Sequence, residues 1–126
     1  MSETNEANEQ KNEANVEKPI IPFKEFQKLD MRIGKVLTAE RVPNSRNLIK
    51  LQVDFGSEQR QAVSGLAQYY KPEQLVGNKY MFICNLERKK FMGIESQCMI
   101  FAAEDSNGNL ALMVPEKDIE VGSKVY

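Results

Sequence analysis

The sequence predicts an all-β domain with one short helix, folded as a small closed barrel. Short apolar runs, some with the two-residue period of a strand, are separated by turn residues, and sustained amphipathic helix is absent. A glycine within the first run, Gly34, indicates a bulge or a sharp bend. Such a bend would let one strand contribute to both sides of a closed sheet.

The 126 residues are enough for one domain, preceded by a segment of different composition. Residues 1–18 are rich in Glu, Asn and Ala and have too little apolar surface to offset the entropy lost on ordering, which predicts a disordered acidic arm. Residues 19–126 are predicted to form the folded domain. The first nineteen residues contain five Glu and two Lys, so the remainder, with 13 acidic and 15 basic residues, is mildly basic.

Seven short segments have the pattern of strands. Residues 49–55 alternate apolar and polar side chains, which predicts a strand with one buried face. Residues 80–84 are apolar throughout, which predicts a central strand buried on both faces. The other predicted strands are residues 31–39, 60–63, 99–103, 110–114 and 121–125.

Helical signals occur at two places. Residues 23–29 carry an aromatic or apolar side chain at every third position, which predicts a helical turn packed by its aromatic side. Pro72 suits the first position of a helix, Glu73 its positive end and Gly77 a left-handed terminator, so a short helix is predicted between the third and fourth strands. This order of elements is typical of an OB-fold, a five-stranded Greek-key barrel, here with a C-terminal extension. A small sandwich or an SH3-like barrel shares most of these signals.

The composition excludes several kinds of function. Without His there is no His-dependent catalytic triad, imidazole metal ligand or switch near neutral pH. Cys84 and Cys98 form neither a disulfide framework nor a CxxC pair, although a single bridge between them stays open; Cys84 lies in an apolar run and is expected to be buried. No apolar run has the roughly 18 residues of a membrane span, and the first residues lack the basic-then-apolar order of a signal peptide. We therefore expect a cytoplasmic protein that is not an enzyme and needs no metal or cofactor.

A series of motifs is spread along the predicted domain. They are LDMRIGKV at 29–36, PNSRNL at 43–48, VDFG at 53–56, RQAVSG at 60–65, NL at 85–86 and GIESQCM at 93–99. In order and spacing these motifs resemble the tRNA-binding domain family, over about residues 23–126. That family includes free-standing tRNA-binding proteins, the C-terminal module or beta subunit of methionyl-tRNA synthetase, and the endothelial monocyte-activating polypeptide module. Two departures from the family pattern are Ser45-Arg46-Asn47, where Ala-Asp-Lys is usual, and Cys98, where Gly is usual.

The resemblance implies an OB-fold that binds the outer corner of the L-shaped tRNA by its shape and performs no chemistry. It also implies a homodimer when the module is free-standing, or a beta subunit that assists a methionyl-tRNA synthetase catalytic chain. A dimer is expected on physical grounds too, because the C-terminal segment is apolar enough to extend beyond one barrel's core, at Leu112, Val114, Ile119, Val121 and Val125. The alternative function is that of a protein-binding chaperone of the CsaA type, whose groove would hold extended polypeptide.

The candidate tRNA-binding residues centre on one basic cluster. Arg88, Lys89 and Lys90 are the only three consecutive basic residues, and they are positioned to contact phosphates unless they form only a solvated hairpin loop. Phe91 and Met92 follow, and either stack on the nucleic acid or anchor this loop. The complete set of candidates is Arg32, Lys35, Asn44, Arg60, Ser64, Asn85, Arg88, Lys89, Lys90, Ser96 and Met99.

Structural roles compete with these assignments. Asn44 follows Pro43, a pair typical of turns whatever the function. Ser96 offers a hydroxyl to a phosphate or ribose, as RNA recognition often requires, whereas Met99 belongs equally well in the core. Arg32, Lys35 and Arg60 either extend a basic strip or are ordinary surface charges, and Ser64 either faces the ligand or caps a turn.

Overall fold

The computed structural model describes residues 17–126. The predicted arm, 1–18, falls almost entirely outside these residues. In chain order the elements are α1 (Phe23–Phe26), β1 (Met31–Arg41), β2 (Ile49–Asp54), β3 (Gln59–Ser64), α2 (Pro72–Leu75), β4 (Lys79–Ile83), β5 (Lys89–Phe91), β6 (Ile94–Ser96), β7 (Met99–Ile100), β8 (Ala102–Glu104), β9 (Leu110–Leu112) and β10 (Lys124–Val125). None of the helices in this described part of the chain is long and apolar enough to span a bilayer.

The main sheet forms a nearly closed, antiparallel five-stranded barrel, which confirms the predicted OB-like fold. Its strands are neighbours in the order β3, β2, β1, β4 and β7, and β10 adds to the edge of β1. The segment before β7 returns to β3, where the Gln97 amide donates to the Gln61 carbonyl at 2.7 Å. This hydrogen bond brings the two ends of the sheet together.

Strand β1 changes partners along its length, as the predicted bend required. Its first half pairs with β4 and its second half with β2. The register shift lies between Val36 and Thr38 rather than at Gly34, so the predicted position of the bulge is wrong. Gly34 has a different role: a Cβ there would lie 2.6 Å from Val53 Cγ1 and 2.7 Å from Phe55 Cε1. The missing side chain lets β1 pass close to the core.

The core lies inside the barrel. The apolar positions of β2 are fully buried and alternate with half-exposed polar ones, as predicted. Phe82 from β4 meets Phe55 edge to face at 5.5 Å between ring centroids, a favourable aromatic geometry. Helix α2 contributes Leu75 to the same core and is followed by Gly77 at φ +87°, so the predicted helix and its left-handed terminator are both confirmed.

The C-terminal half differs from the prediction in detail. The strand predicted over 99–103 is two strands, β7 and β8, separated at Phe101, whose amide donates to the Met81 carbonyl of β4 and whose carbonyl accepts from the Met113 amide. After Phe101, β8 pairs with β9 in a separate hairpin. The strand predicted over 121–125 shortens to β10, since Gly122, at φ +83°, lies in a turn closed by the Ser123 amide.

Helix α1 departs most from expectation. It forms as predicted, but none of its residues is fully buried: Phe26 is half-buried, whereas Phe23 is exposed to solvent. Phe23 is 69% exposed and stacks on Phe26, with ring centroids 5.9 Å apart. The helix therefore presents an apolar face outside the barrel.

Candidate nucleic-acid interface

The basic cluster lies at a β-hairpin, whose two strands the sequence interpretation did not predict. Strands β5 and β6 are joined by Met92 and Gly93, both at positive φ (53° and 80°), the backbone of a two-residue hairpin turn. Phe91 and Ile94 flank this turn in register. Gly93 between the apolar Phe91 and Ile94 was only a weak hairpin signal in the sequence, because the residue before it, Met92, is not one that usually precedes Gly in such a turn.

The hairpin is packed against the barrel. Phe91 and Ile94 pack on a small apolar cluster of Val42, Leu48 and Val63, separate from the main core. Burial of this kind contributes about 25 cal/mol for each Å² of apolar surface removed from water. The hairpin therefore has a defined position relative to β3.

Glutamine side chains add a second attachment. Gln61 Nε2 donates to the Glu95 carbonyl at 2.9 Å, and the Gln61 amide donates to Gln97 Oε1 at 3.1 Å. Gln97 Nε2 in turn donates to Glu95 Oε1 at 3.2 Å. Because these bonds join β3, β6 and the segment before β7, they fix the hairpin and the mouth of the barrel as one unit. Sequence reasoning did not single out either glutamine.

A groove of about 620 Å³ lies beside the hairpin, bounded by the end of β3 and by β7. Four of the predicted site residues line it: Ser64, Lys89, Ser96 and Met99. Met99 is 46% exposed, so its alternative assignment to the core is wrong. Leu86, missed in the sequence, is 47% exposed and lines the same groove. The groove thus combines apolar surface with a basic edge.

The two serines differ in what they offer a ligand. The Ser96 hydroxyl accepts a hydrogen bond from the Val63 amide and donates one to the Cys98 carbonyl, both at 3.0 Å. It is therefore committed to holding β6 against β3. Ser64 lines the groove at the end of β3 and is half-exposed. Of the two, Ser64 is the better placed to bind a ligand.

The three basic residues are all exposed, but they do not share one face. Lys89 lies on the groove side, with Phe91 two residues further on. Because side chains alternate along a strand, Lys90 projects from the other face of the hairpin. Arg88 precedes β5. The cluster therefore surrounds the hairpin with positive charge and does not form a single row.

Two other predicted residues, Arg32 and Arg60, belong to an ion-pair network. Arg32 binds Asp30 at 2.6 Å and Glu58 at 3.0 Å, and Arg60 Nε lies 2.7 Å from Glu58. Hydrogen bonds from Arg60 and then Arg32 lower the pKa of Glu58 to about 2. Glu58 lies two residues before Arg60, just ahead of β3, and side chains two residues apart in extended backbone point to the same side, a spacing that could have indicated the pair.

Arg60 also binds backbone next to the groove, although its own side chain is not part of the lining. Its guanidinium donates to the Cys84 carbonyl at the end of β4, and to the Gln97 carbonyl at 3.3 Å. These bonds satisfy two backbone oxygens where β4 and the segment before β7 leave the sheet. With its charge paired to Glu58, Arg60 acts here as a positioning residue.

Asn85 has a comparable structural role. Its Oδ1 accepts from the Asp30 amide at 2.7 Å and its Nδ2 donates to the Lys28 carbonyl at 2.6 Å. The side chain thereby fastens the segment after α1 to the end of β4. Its amide is occupied by these backbone partners.

The last two predicted residues lie away from the groove. Asn44 has φ +66° and is exposed in the turn between β1 and β2, a conformation that Asn tolerates well. Lys35 lines a separate depression of about 580 Å³ with Lys79 and Asp118. The structure therefore groups Ser64, Lys89, Ser96 and Met99, flanks them with Arg88 and Lys90, and leaves Lys35 apart.

Both cysteines are free and buried, as predicted for Cys84. Burial raises the pKa of both thiols, to about 12 for Cys98. Thiols of this kind are poor nucleophiles near neutral pH. Among residues 17–126 no group of three or more Cys, Asp or Glu is placed to hold a metal ion.

Solved structures resemble this fold along most of the chain. The structure of a MetRS-related protein from Pyrococcus horikoshii has a TM-score of 0.82 and 40% identity, and covers 86% of this chain and 100% of its own. The chaperone CsaA from Bacillus anthracis has a TM-score of 0.77 and 28% identity, with 86% and 100% coverage. The CsaA chaperone from Picrophilus torridus, at 22% identity, shares the fold.

Curated relatives are much longer than this chain. A methionine-tRNA ligase from Methanocaldococcus jannaschii is 53% identical over 79% of this chain and 15% of its own length. One from Parabacteroides distasonis is 46% identical over 99% of this chain and 19% of its own. The chain thus spans less than a fifth of either relative. The family model described as "Putative tRNA binding domain" matches residues 31–124, and the chain therefore belongs to the tRNA-binding domain family.

Proposed function

We propose that this domain binds tRNA in the cytoplasm, without catalysis, and recognises the outer corner of the folded molecule by its shape. The observation that carries the proposal is the basic hairpin fixed beside an amphipathic groove. Exposed cations supply phosphate contacts, and a hydroxyl with apolar surface suits a ribose or base. A rigid surface favours a ligand that already has the matching shape.

The electrostatics support RNA as the ligand. Arg88, Lys89 and Lys90 are all exposed at one hairpin, and Arg32 and Arg60, which are half-buried, form ion pairs with Glu58. Each phosphate neutralised by such a cation releases condensed counterions, a gain that is independent of sequence. Arg88, Lys89 and Lys90 are thus the proposed phosphate contacts, and Ser64 and Met99 the proposed groove contacts. Arg32, Arg60, Asn85 and Ser96 are proposed to position the surface.

A gel-shift series tests shape recognition. Total tRNA, tRNA lacking its elbow and unstructured RNA are compared at one salt concentration. The proposal expects intact tRNA to bind clearly more tightly than the other two. Equal binding of all three would reduce the function to general RNA affinity.

Two settings for such a module follow from the relatives. Methionine-tRNA ligases carry a similar segment within a longer chain. This chain would serve either as a free-standing tRNA-binding protein or as a beta subunit that raises the tRNA affinity of a methionyl-tRNA synthetase catalytic chain. Co-purification with a methionyl-tRNA synthetase, together with a lower KM for tRNA when this chain is added, would favour the second setting.

A protein-binding chaperone is the second candidate function. The likeness to a CsaA chaperone at 28% identity favours it, as do the exposed Leu86 and Met99 in the groove. An extended polypeptide would need apolar surface but little positive charge. Competition between tRNA and a reduced, unfolded protein decides between them: displacement of bound tRNA by the polypeptide would support the chaperone.

We also propose that the domain forms a homodimer. Among the apolar residues that first suggested this, Leu112 belongs to the barrel core, while Val114 and Ile119 are 61% and 43% exposed. Stronger support comes from α1, where Phe23 is 69% exposed, and from Ile20, at 98%. Apolar surface of this kind usually marks an interface.

Light scattering at micromolar concentration tests the dimer. We expect about twice the mass of one chain, which is 14.4 kDa. Phe23→Glu should shift the protein towards the single-chain mass, because a charge would be buried in the interface. A wild-type protein that scatters as one chain would refute the proposal.

A further inference from the structure

The tip of the basic hairpin contains an unusual residue. Met92 occupies the first position of the two-residue turn with φ +53°, in the left-handed region that Gly, Asn and Asp adopt more easily. For other residues that conformation costs of the order of 1 to 2 kcal/mol. The Met92 side chain is 58% exposed, so extensive burial of this side chain does not offset that cost.

The hairpin itself gives no reason for a methionine here. Phe91 and Ile94 attach the hairpin to the barrel, and Met92 is not part of the cluster on which they pack. The turn is already completed by Gly93 at φ +80°. Asn in place of Met92 would suit the same backbone better and expose less apolar surface. An uncompensated backbone cost of this kind points to a role outside the folding of the domain.

The surroundings indicate what the side chain meets. Met92 follows Arg88, Lys89 and Lys90 on the same hairpin, so its partner there carries negative charge. The partner must also present an apolar surface, because a methionine offers little else. Nucleic acid combines both, and the faces of its bases are accessible only where they are unpaired and unstacked.

We infer that Met92 packs against the face of an unpaired nucleobase in the bound tRNA, while the neighbouring cations hold the phosphates. This inference rests on the proposed tRNA binding and adds to it a contact that depends on base exposure and not on charge. The flexible, polarisable thioether adapts to any base. The contact therefore requires an unstacked nucleotide but does not discriminate between the four bases.

Substitution of Met92 in the full chain tests this. Met92→Asn should raise the melting temperature, because the turn strain is relieved, yet weaken total tRNA binding about five- to tenfold, the lower end of the range for base stacking. Met92→Leu should bind within about twofold of wild type, since it keeps the apolar contact. The salt dependence of Met92→Asn should equal that of wild type, because no phosphate contact is removed.

Controls separate this contact from the proposed function. Val76→Asn changes a residue that is 44% exposed elsewhere, after α2, and should leave tRNA affinity unchanged. On a fully paired RNA duplex, wild type and Met92→Asn should bind equally. Met92→Gly provides a second strain-free variant should the Asn variant fold poorly.

Three results would overturn the inference. They are unchanged tRNA binding by folded Met92→Asn or Met92→Gly, a shallower salt slope in either, or an equal loss of affinity on the duplex. Failure of the wild-type protein to bind tRNA at all would instead remove the proposed function.

Discussion

Replacing Arg88, Lys89 and Lys90 together by Ala removes the three exposed cations of the hairpin. The fold should be retained, because the hairpin is held through Phe91, Ile94 and the glutamine contacts. Exposed charges contribute at most about 1 kcal/mol each to stability. The melting temperature of the triple variant should therefore lie close to that of wild type.

The loss of tRNA affinity can be scaled from the geometry. Lys89 and Lys90 project from opposite faces of the hairpin, so one bound tRNA contacts either both of them or one of them in addition to Arg88. The variant therefore loses two or three phosphate contacts. At roughly 0.7 to 0.9 counterions per contact, the slope of log affinity against log salt becomes shallower by about 1.4 to 2.7. Between about 50 and 200 mM salt, the affinity advantage of wild type should shrink by about 7- to 40-fold.

Fluorescence anisotropy with labelled tRNA over a salt series measures both quantities. A matched control replaces Lys18, Lys24 and Lys117 by Ala; these residues are exposed but belong neither to the hairpin nor to the lining of its groove, so the same net charge is removed. The control should keep most of the wild-type slope. If it loses as much slope as the hairpin variant, or if the hairpin variant binds like wild type, the assignment of phosphate contacts to the hairpin is refuted.

Three further predictions concern the scaffold and the arm. Glu58→Gln should lower the free energy of unfolding near neutral pH. Because the pKa of Glu58 is depressed in the folded state, its contribution to stability is present above about pH 4.5 and is lost as the pH falls towards 2. In urea unfolding, the stability of the variant should therefore depend less on pH over that window than the stability of wild type. Gly34→Ala should cost about 1 to 3 kcal/mol in the same assay, because the new methyl group overlaps Val53 and Phe55, and an unchanged midpoint would contradict the close approach described above. A truncation starting at Pro19 should change stability by less than about 0.5 kcal/mol and leave tRNA affinity equal or slightly higher at low salt, whereas a large loss of affinity without a partner would show that the acidic arm binds RNA.

Local patterns in the sequence were enough to predict the main elements of the barrel. The alternation in β2 predicts its buried face, because strand side chains point to opposite sides whatever the strand packs against. Pro72 and Gly77 predict α2 for a similar reason, since each restricts or permits backbone angles by its own covalent structure. The exposed basic cluster could also be located, because consecutive cations rarely find buried partners.

The tertiary structure decided which polar residues are free to meet a ligand. Arg32 and Glu58 are 26 positions apart, Arg60 and Cys84 are 24 apart, and Asp30 and Asn85 are 55 apart, so no local pattern relates them. Their pairing depends on which strand ends meet when the barrel closes. The same closure places Ser64 and Met99 in the groove and commits Ser96 to the backbone. It also leaves α1 without a fully buried residue: its spacing predicted a helix, but how deeply a helix is buried depends on the surface that the tertiary fold places beside it.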